Sequence, residues 1–319
     1  MGEGGIRIGL SAVVIALRDR SAVVLTTPGD DGSPALPFGP FDPVRDRTFE
    51  LALRAFVTAQ TGFSLGFVEQ LYTFGDAGRG SPRATPGPNK SREVSVGYLA
   101  LTGAALEAPA AEARWRPVED FFPWEDWRGG RPAALPPLLN GLAAWAGSDT
   151  ARLTRIDSLF ALSEGARWND GWVLERYELL YEAGLVAEAS RDRGQPAADG
   201  APGRPMASDH RRILATGLGR LRSKLRYRPV LFDLTPETFT LSQLQAAAEA
   251  VTGVPLHKQN FRRGVERSGL VEPTGRFTSG AAGRPAELFR CTGSDPRDGQ
   301  ATGLPLPALN PLAAAVPGD

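Results

Sequence analysis

Lys258, Gln259, Asn260, Arg262 and Arg263 stand together in the run KQNFRRGVERS, and long donors at this density suit contact with a nucleic acid. Arg carries a two-pronged fork that fits guanine edges and phosphates, Gln can pair with adenine, and Lys supplies a compact charge. Placed about 100° apart around a helix axis, Phe261, Gly264, Val265 and Ser268 fall on one side. Lys258, Gln259, Arg262, Arg263 and Arg267 fall on the other, with Asn260 near the helix start. One side packs and the other offers donors. A plain solvated surface is the alternative for any basic helix read by itself.

The elements that would position this helix argue against the plain alternative. Thr240 and Gln243 form a capping box, and Phe239 and Leu244 stand where a hydrophobic staple needs them, so a helix starts at Thr240. Gly253 can end it and Pro255 keeps it from resuming. The basic helix then spans roughly Leu256 to Ser268. Beyond it, short strands around Leu270–Val271 and Leu288–Phe289 flank a Gly-rich tip. Arg276, Thr278, Ser279 and Arg284 in that tip can reach a phosphate backbone or a minor groove. Helix, turn, basic helix and hairpin is the order of a winged helix-turn-helix. From Met206 to Arg290 there are 14 Lys and Arg against 7 Asp and Glu, although the whole chain balances at 36 against 36. The positive excess is confined to the module that would meet a polyanion.

At 319 residues the chain exceeds one ordinary domain, and 42% hydrophobic residues with six Trp and fifteen Phe provide for real cores. The single cysteine, Cys291, excludes an internal disulfide and any multi-cysteine zinc site. No run of about eighteen apolar residues occurs and no signal peptide is legible, so the expectation is a soluble cytoplasmic protein without membrane contact. His210 and His257 make no ligand motif and read as surface or packing residues.

In the amino-terminal part, Arg7–Leu17 and Ala22–Thr26 read as strands, residues 29–43 as loop, and Thr48–Thr61 as a helix closed by Gly62. Gly66–Phe74 and Arg92–Leu101 read as further strands, with a Gly- and Pro-rich loop over 75–91. This order resembles the Nudix fold. In Nudix hydrolases a helix carries Arg-Glu-hydrophobic-x-Glu-Glu-x-Gly-hydrophobic, whose glutamates hold the divalent metal. Anchoring that pattern on Gly62 and Phe63 puts Ala55, Phe56, Val57, Ala59 and Gln60 at its defining positions, and Glu50 is the only carboxylate in the helix. One carboxylate does not make a Mg²⁺ cluster. The expectation is therefore a non-enzymatic domain with no metal and no required cofactor.

Arg114–Gly130 is dense in aromatics and charges, which fits a packed corner, an interface or a surface for stacking a purine or nicotinamide ring. Trp168–Ala189 reads as an amphipathic connector helix and residues 190–205 as the main linker. In Ser208–Arg226, Leu214, Leu218, Leu221 and Leu225 step like a coiled-coil seam that could pack on the winged helix or pair two subunits. The expected architecture is α+β: a degenerate Nudix-like α/β/α domain over 1–145, a helical connector and linker over 146–205, and a C-terminal winged helix-turn-helix over 206–291. A disordered tail over 292–319 completes it.

The chain resembles the Nudix-related transcriptional regulators of NAD metabolism, and within them the NadQ type related to NrtR. The strings that carry the resemblance are FFPWEDWR at 121–128, ERYELLYEAGL at 175–185, NFRR at 260–263 and GRPAEL at 283–288. It implies a repressor of NAD biosynthesis or salvage genes that binds a double-stranded DNA operator, as a homodimer, and senses NAD, ADP-ribose or ATP. In a Nudix fold, Arg92, Ser95 and Tyr98 lie on the strand lining the ligand site, and Arg54 lies on the helix that meets a diphosphate. Two rival readings stay open: a Nudix hydrolase with non-standard metal ligands and a nucleic-acid-binding C-terminal module, and an RNA-binding accessory protein.

Overall fold

The computed structural model describes residues 6–76, 92–103, 112–196, 200–278, 285–292, 303 and 306. Two long β-branched runs, β1 (Ile6–Arg18) and β2 (Ser21–Pro28), form a hairpin that starts the sheet. β6 (Arg92–Leu101) lies parallel to β1 on its other side, and β5 (Phe67–Phe74) closes that edge antiparallel to β6. The segment expected as plain loop over 29–43 contributes two small strands, β3 (Pro34–Ala35) on β2 and β4 (Phe38–Pro40) on β1. β7 (Arg114–Pro117) pairs with β2, so the charged aromatic run opens as an edge strand. These strands are too short to show an alternation in sequence, and their pairing is set by neighbours far away in the chain.

Side chains alternate across this sheet and build two separate cores. On one face Leu10, Ala12, Val14, Val96 and Tyr98 pack with Ala52, Leu53 and Val57 of α1 (Phe49–Thr61). That helix starts on the Thr48 cap, whose hydroxyl accepts the Leu51 N–H, and stops at Gly62 in the left-handed region. On the other face Val13, Ile15 and Val24 join a larger core under α6 (His210–Lys224). The leucine seam of α6 is spent here. Leu214, Leu218, Leu221 and Leu225 are all fully buried in the chain's own core and present nothing to a second subunit. Gly217 permits the approach, since a Cβ there would come within 2.9 Å of Val13 Cγ1. α6 thus completes the α/β/α layering of the sheet, although its residues were grouped by sequence with the winged helix.

Between sheet and winged helix lie α2 (Leu135–Ala146), α3 (Thr150–Phe160), α4 (Val173–Glu182) and α5 (Ala187–Asp192). The single connector helix expected over 168–189 is divided near Gly184, which takes a φ of +76°. α7 (Leu241–Thr252), α8 (Lys258–Ser268), β8 (Val271–Phe277) and β9 (Glu287–Cys291) form the winged helix. Most of the tail lies outside the described residues. Leu306, which is described, packs on the large core, and its carbonyl accepts from Arg226 Nη1 at 3.3 Å.

Candidate nucleic-acid interface

The helix pair is fixed by local bonds. In α7 both halves of the capping box are present, with Gln243 N–H on Thr240 Oγ1 at 3.1 Å and Thr240 N–H on Gln243 Oε1 at 2.8 Å. The turn to α8 is pinned from inside: Glu249 Oε1 accepts the Leu256 N–H at 3.0 Å, and Gln245 Nε2 donates to the Leu256 carbonyl at 2.9 Å. Leu256 is therefore held on α7, and α8 leaves at a set angle.

Phe261 and Val265 are buried against α7, as the helical spacing requires, while Lys258, Gln259, Asn260, Arg263 and Arg267 are exposed. Arg262 is half-buried. Its Nη2 donates to Ser242 Oγ at 3.0 Å and its Nε is covered without a partner, so this side chain straps α8 to α7 as well as adding positive charge. Glu266 is the one carboxylate on the exposed side of α8.

The wing is tied to the start of α7 by a bridge in which Phe239 N–H donates to Phe289 O at 2.9 Å and Phe289 N–H donates to Phe239 O at 2.7 Å. Arg276 is exposed on β8. Thr278 closes the hairpin: its N–H donates to Ala286 O at 2.8 Å and its Oγ1 accepts from Ala286 N–H at 3.0 Å. That bonding gives Thr278 a structural task in place of a free reach toward a phosphate. Ser279 and Arg284 lie outside the described residues.

The four residues grouped for a nucleotide are not brought together. Arg54 is bound to its own surroundings, with Nε on Glu50 Oε1 at 2.9 Å, Nη1 on Leu65 O at 2.5 Å and Nη2 on Gly66 O at 3.0 Å. It ties the helix to the following strand, with about a third of the side chain (32%) left exposed. Ser95 hydrogen-bonds Ser11 at 3.0 Å on the sheet face that meets α6. Tyr98 belongs to the core on the α1 face, with its hydroxyl 3.5 Å from Gln70 Oε1, and burial raises its pKa. Arg92 begins β6 opposite Ile6. A period-2 strand places Ser95 and Tyr98 on opposite faces.

The positions where a Nudix helix would carry metal-binding glutamates serve packing. Gln60 grips the backbone of Phe38, donating to its carbonyl at 2.6 Å and accepting its N–H at 3.2 Å. Phe56 lies so close to Gly39 that a Cβ there would come within 2.9 Å of its ring. Among the described residues no group of three or more His, Cys, Asp or Glu is arranged to hold a metal ion.

The sequence reading missed a buried ionic hub that joins this interface to the sheet. Glu125 lies among Phe121, Phe122, Trp124 and Trp127 and is 2% exposed. Its carboxylate receives Arg176 Nε at 2.6 Å, Arg176 Nη2 at 2.8 Å and Arg222 Nη1 at 2.7 Å. Arg222 Nε also donates to Val251 O of α7 at 2.8 Å, and Trp127 N–H donates to Gly253 O at 2.6 Å. Burial pushes the Glu125 carboxyl up, but Arg176 and Arg222 outweigh it and hold the group below its ordinary value. The available signal was a carboxylate inside an aromatic run, since a charge among buried rings requires partners. Both strings of the family resemblance that enclose Glu125 and Arg176 are thereby accounted for by packing.

A Nudix-like α/β/α layer continued through helices into a winged helix defines the class of this protein. Residues 231–291 match the NrtR DNA-binding winged helix domain. Over 85 residues the chain is 40% identical to the ADPR responsive transcriptional repressor NtrR of Acinetobacter baylyi, a match covering 27% of this chain and 34% of that protein. Its fold is that of Shewanella oneidensis NrtR in complex with a 27mer DNA, with a TM-score of 0.55 and 21% identity over 95% of this chain and 99% of the other. A MutT/nudix family protein from Enterococcus faecalis aligns with a TM-score of 0.51 and 16% identity over 90% and 86%. The chain carries an NrtR-type winged helix on a Nudix-like fold, and the resemblance to the Nudix-related regulators holds.

Proposed function

We propose that this protein is a DNA-binding transcriptional repressor of NAD biosynthesis or salvage genes whose Nudix-like layer responds to ADP-ribose without hydrolysing it. The reading is carried by one observation: a helix held rigidly on α7 presents Lys258, Gln259, Asn260 and Arg263 to solvent within an NrtR-type winged helix. In this reading α8 enters the major groove, Arg263 meets a base edge or phosphate, and Arg276, Ser279 and Arg284 follow the backbone from the wing. Arg262 contributes charge while holding α8 in place. The name of the Acinetobacter relative supports ADP-ribose over NAD or ATP as the effector. A homodimer acting in the cytoplasm would match two reading heads to paired half-sites.

A gel shift on promoters of NAD genes, with and without ADP-ribose, NAD and ATP, tests the whole. Arg263→Ala is expected to weaken operator binding by about 1–3 kcal/mol. Lys258→Ala should lower affinity evenly across sequences and reduce the salt slope by about one. Wild-type affinity in both variants sinks the assignment. Release of products from ADP-ribose with Mg²⁺ or Mn²⁺ would favour the hydrolase reading instead, against which stand the packing roles of Phe56 and Gln60.

A further inference from the structure

We propose that Glu266 reads a cytosine in the major groove and so sets part of the operator sequence that α8 recognises. This rests on the reading of the protein as a DNA-binding regulator, and it names a base contact that the reading leaves open.

The position follows from the helix itself. Successive side chains turn by about 100° and rise by about 1.5 Å. With Phe261 and Val265 buried, Arg263 points away from them, Gln259 lies about 40° to one side, and Glu266 lies about 20° beyond Gln259. Gln259, Arg263 and Glu266 thus form one row at i, i+4 and i+7 that is about 10 Å long, close to three base-pair steps. All three are exposed. A carboxylate therefore stands in the same row as the donors assigned to the groove.

A carboxylate turned toward a polyanion weakens binding to any duplex, because it opposes the phosphates that Lys258 and Arg263 attract. An ion pair within the helix would cancel that effect, and among the described residues Glu266 has none. Elsewhere in the chain an acid and an arginine three or four residues apart do pair: Glu50 with Arg54, Asp149 with Arg152, and Asp209 with Arg212. In each of these the acid precedes the arginine, the favourable order along a helix, whereas Glu266 follows Arg262 and Arg263. Arg262 is also held on α7, with its Nη2 on the Ser242 hydroxyl at 3.0 Å. The Glu266 oxygens are left facing outward as acceptors.

The base edges select what such an acceptor can meet. Guanine shows N7 and O6 and thymine shows O4, all of which repel a carboxylate, and adenine sets its N7 acceptor beside the N6 amino group. Cytosine offers the N4 amino donor with no acceptor beside it on its own edge. Glu266 then lowers affinity for duplex DNA at large and restores it at one base, so that repulsion and attraction both serve discrimination.

Selection from a pool of duplexes with a randomised core tests the assignment on the full chain, as wild type, Glu266→Ala and Glu266→Gln. Wild type should select a core with cytosine at one position, preferred about fivefold or more over the other bases. Glu266→Ala should bring that preference within about twofold, leave the other positions unchanged, and bind an unrelated duplex more tightly at low salt. Glu266→Gln should move the preference to adenine, whose N6 and N7 match an amide. Thermal melts of both variants should equal wild type, since the side chain is exposed. If Glu266→Ala selects the same core as wild type, Glu266 reads no base while DNA binding stands. An even loss of preference at every position would give the residue a role in shaping the helix and overturn the contact. A wild type that selects no common core overturns the DNA-binding reading and the contact with it.

Discussion

Removing the charge of Glu125 should loosen the chain more than any surface substitution, and the structure sets the size of the effect. The carboxylate is fully enclosed and accepts three charge-assisted bonds from two arginines that are themselves buried. Arg176 keeps bonds to Leu159 O and Asn169 O and lies 3.8 Å over the Trp168 ring, and Arg222 keeps Val251 O. Carbonyls and a ring solvate a guanidinium but do not neutralise it. Glu125→Gln leaves two cations in a dry site, and breaking a buried pair in this way costs about 3–5 kcal/mol. With an m value of about 3 kcal/mol/M, the urea midpoint should fall by roughly 1–1.7 M. A companion variant sharpens the test. Replacing the triad together, Glu125→Leu with Arg176→Met and Arg222→Met, removes the charge of the hub as a unit and should recover most of the loss.

Acid acts on the same group. Its folded pKa is depressed, so the stabilisation is fully present above the unfolded value near 4.5 and is lost as pH falls through the lower folded value. Equilibrium urea unfolding of wild type, the Gln variant and the triple variant decides the matter. A Gln variant within about 1 kcal/mol of wild type, or a triple variant no more stable than the single one, would refute the account in which the loss comes from two buried cations left without a counter-charge.

His210 gives a second pH effect of known sign. Buried and beside Arg191, it is pushed down to about 4, and its Nδ1 accepts the Leu36 N–H at 3.1 Å. The unfolded chain takes up a proton near pH 6.5 that the folded chain refuses until about 4, so stability should fall by up to about 3 kcal/mol across that window as pH drops. His210→Asn keeps an acceptor for Leu36 and should flatten the slope in thermal melts between those limits, and an unchanged slope would remove His210 as its source. Gly253→Ala compares directly with Gly269→Ala, since both glycines end helices at φ near +70°. A Cβ at Gly253 would come within 2.3 Å of Glu125 O, whereas Gly269 has nothing within 4 Å. The left-handed backbone alone costs about 1–2 kcal/mol, so Gly253→Ala should destabilise clearly more and also weaken operator binding. Equal losses in the two melts would refute the close-approach argument.

Elements whose signals are local were legible in the sequence. Thr240, Gln243 and Gly253 specify α7 by bonds within a few residues of themselves, and the burial of Phe261 and Val265 follows from spacing alone. Partners set by tertiary packing were not legible. The α6 leucines read equally well as a seam between subunits or against a sheet, and only the approach of Val13 to Gly217 selects the sheet. Glu125 finds Arg176 and Arg222 at separations of 51 and 97 residues, beyond any motif. Arg54 shows the opposite failure. An arginine on an exposed helix invites a ligand role, but the carbonyls of Leu65 and Gly66 already take its donors. Ser95 and Tyr98 could have been separated beforehand, because an odd spacing on a strand puts two side chains on opposite faces.

Under the proposed function, the division of the cores constrains how a metabolite bound to the Nudix-like layer would act on DNA. α1, the helix that corresponds to the Nudix motif, packs in a core of its own with one face of β1 and β6. The other core is continuous: Val13 and Ile15 of β1, Leu218 and Leu221 of α6, Leu244 and Val251 of α7, and Phe261 and Val265 of α8 all belong to it. A displacement beginning under α1 has to cross a central strand held by β6 over Ile6–Ile15, by β4 over Gly9–Ser11 and by β2 over Ile15–Arg18 before it meets that core. A displacement beginning at β7 already stands beside it, because Val118 and Phe121 follow the strand directly and lie within the same cluster. Packed interiors shift between discrete arrangements and do not deform smoothly. The hub at Glu125, which bonds both α6 and the segment docked on Gly253, is where such a shift would be converted into a new setting of α7 and the helix it carries.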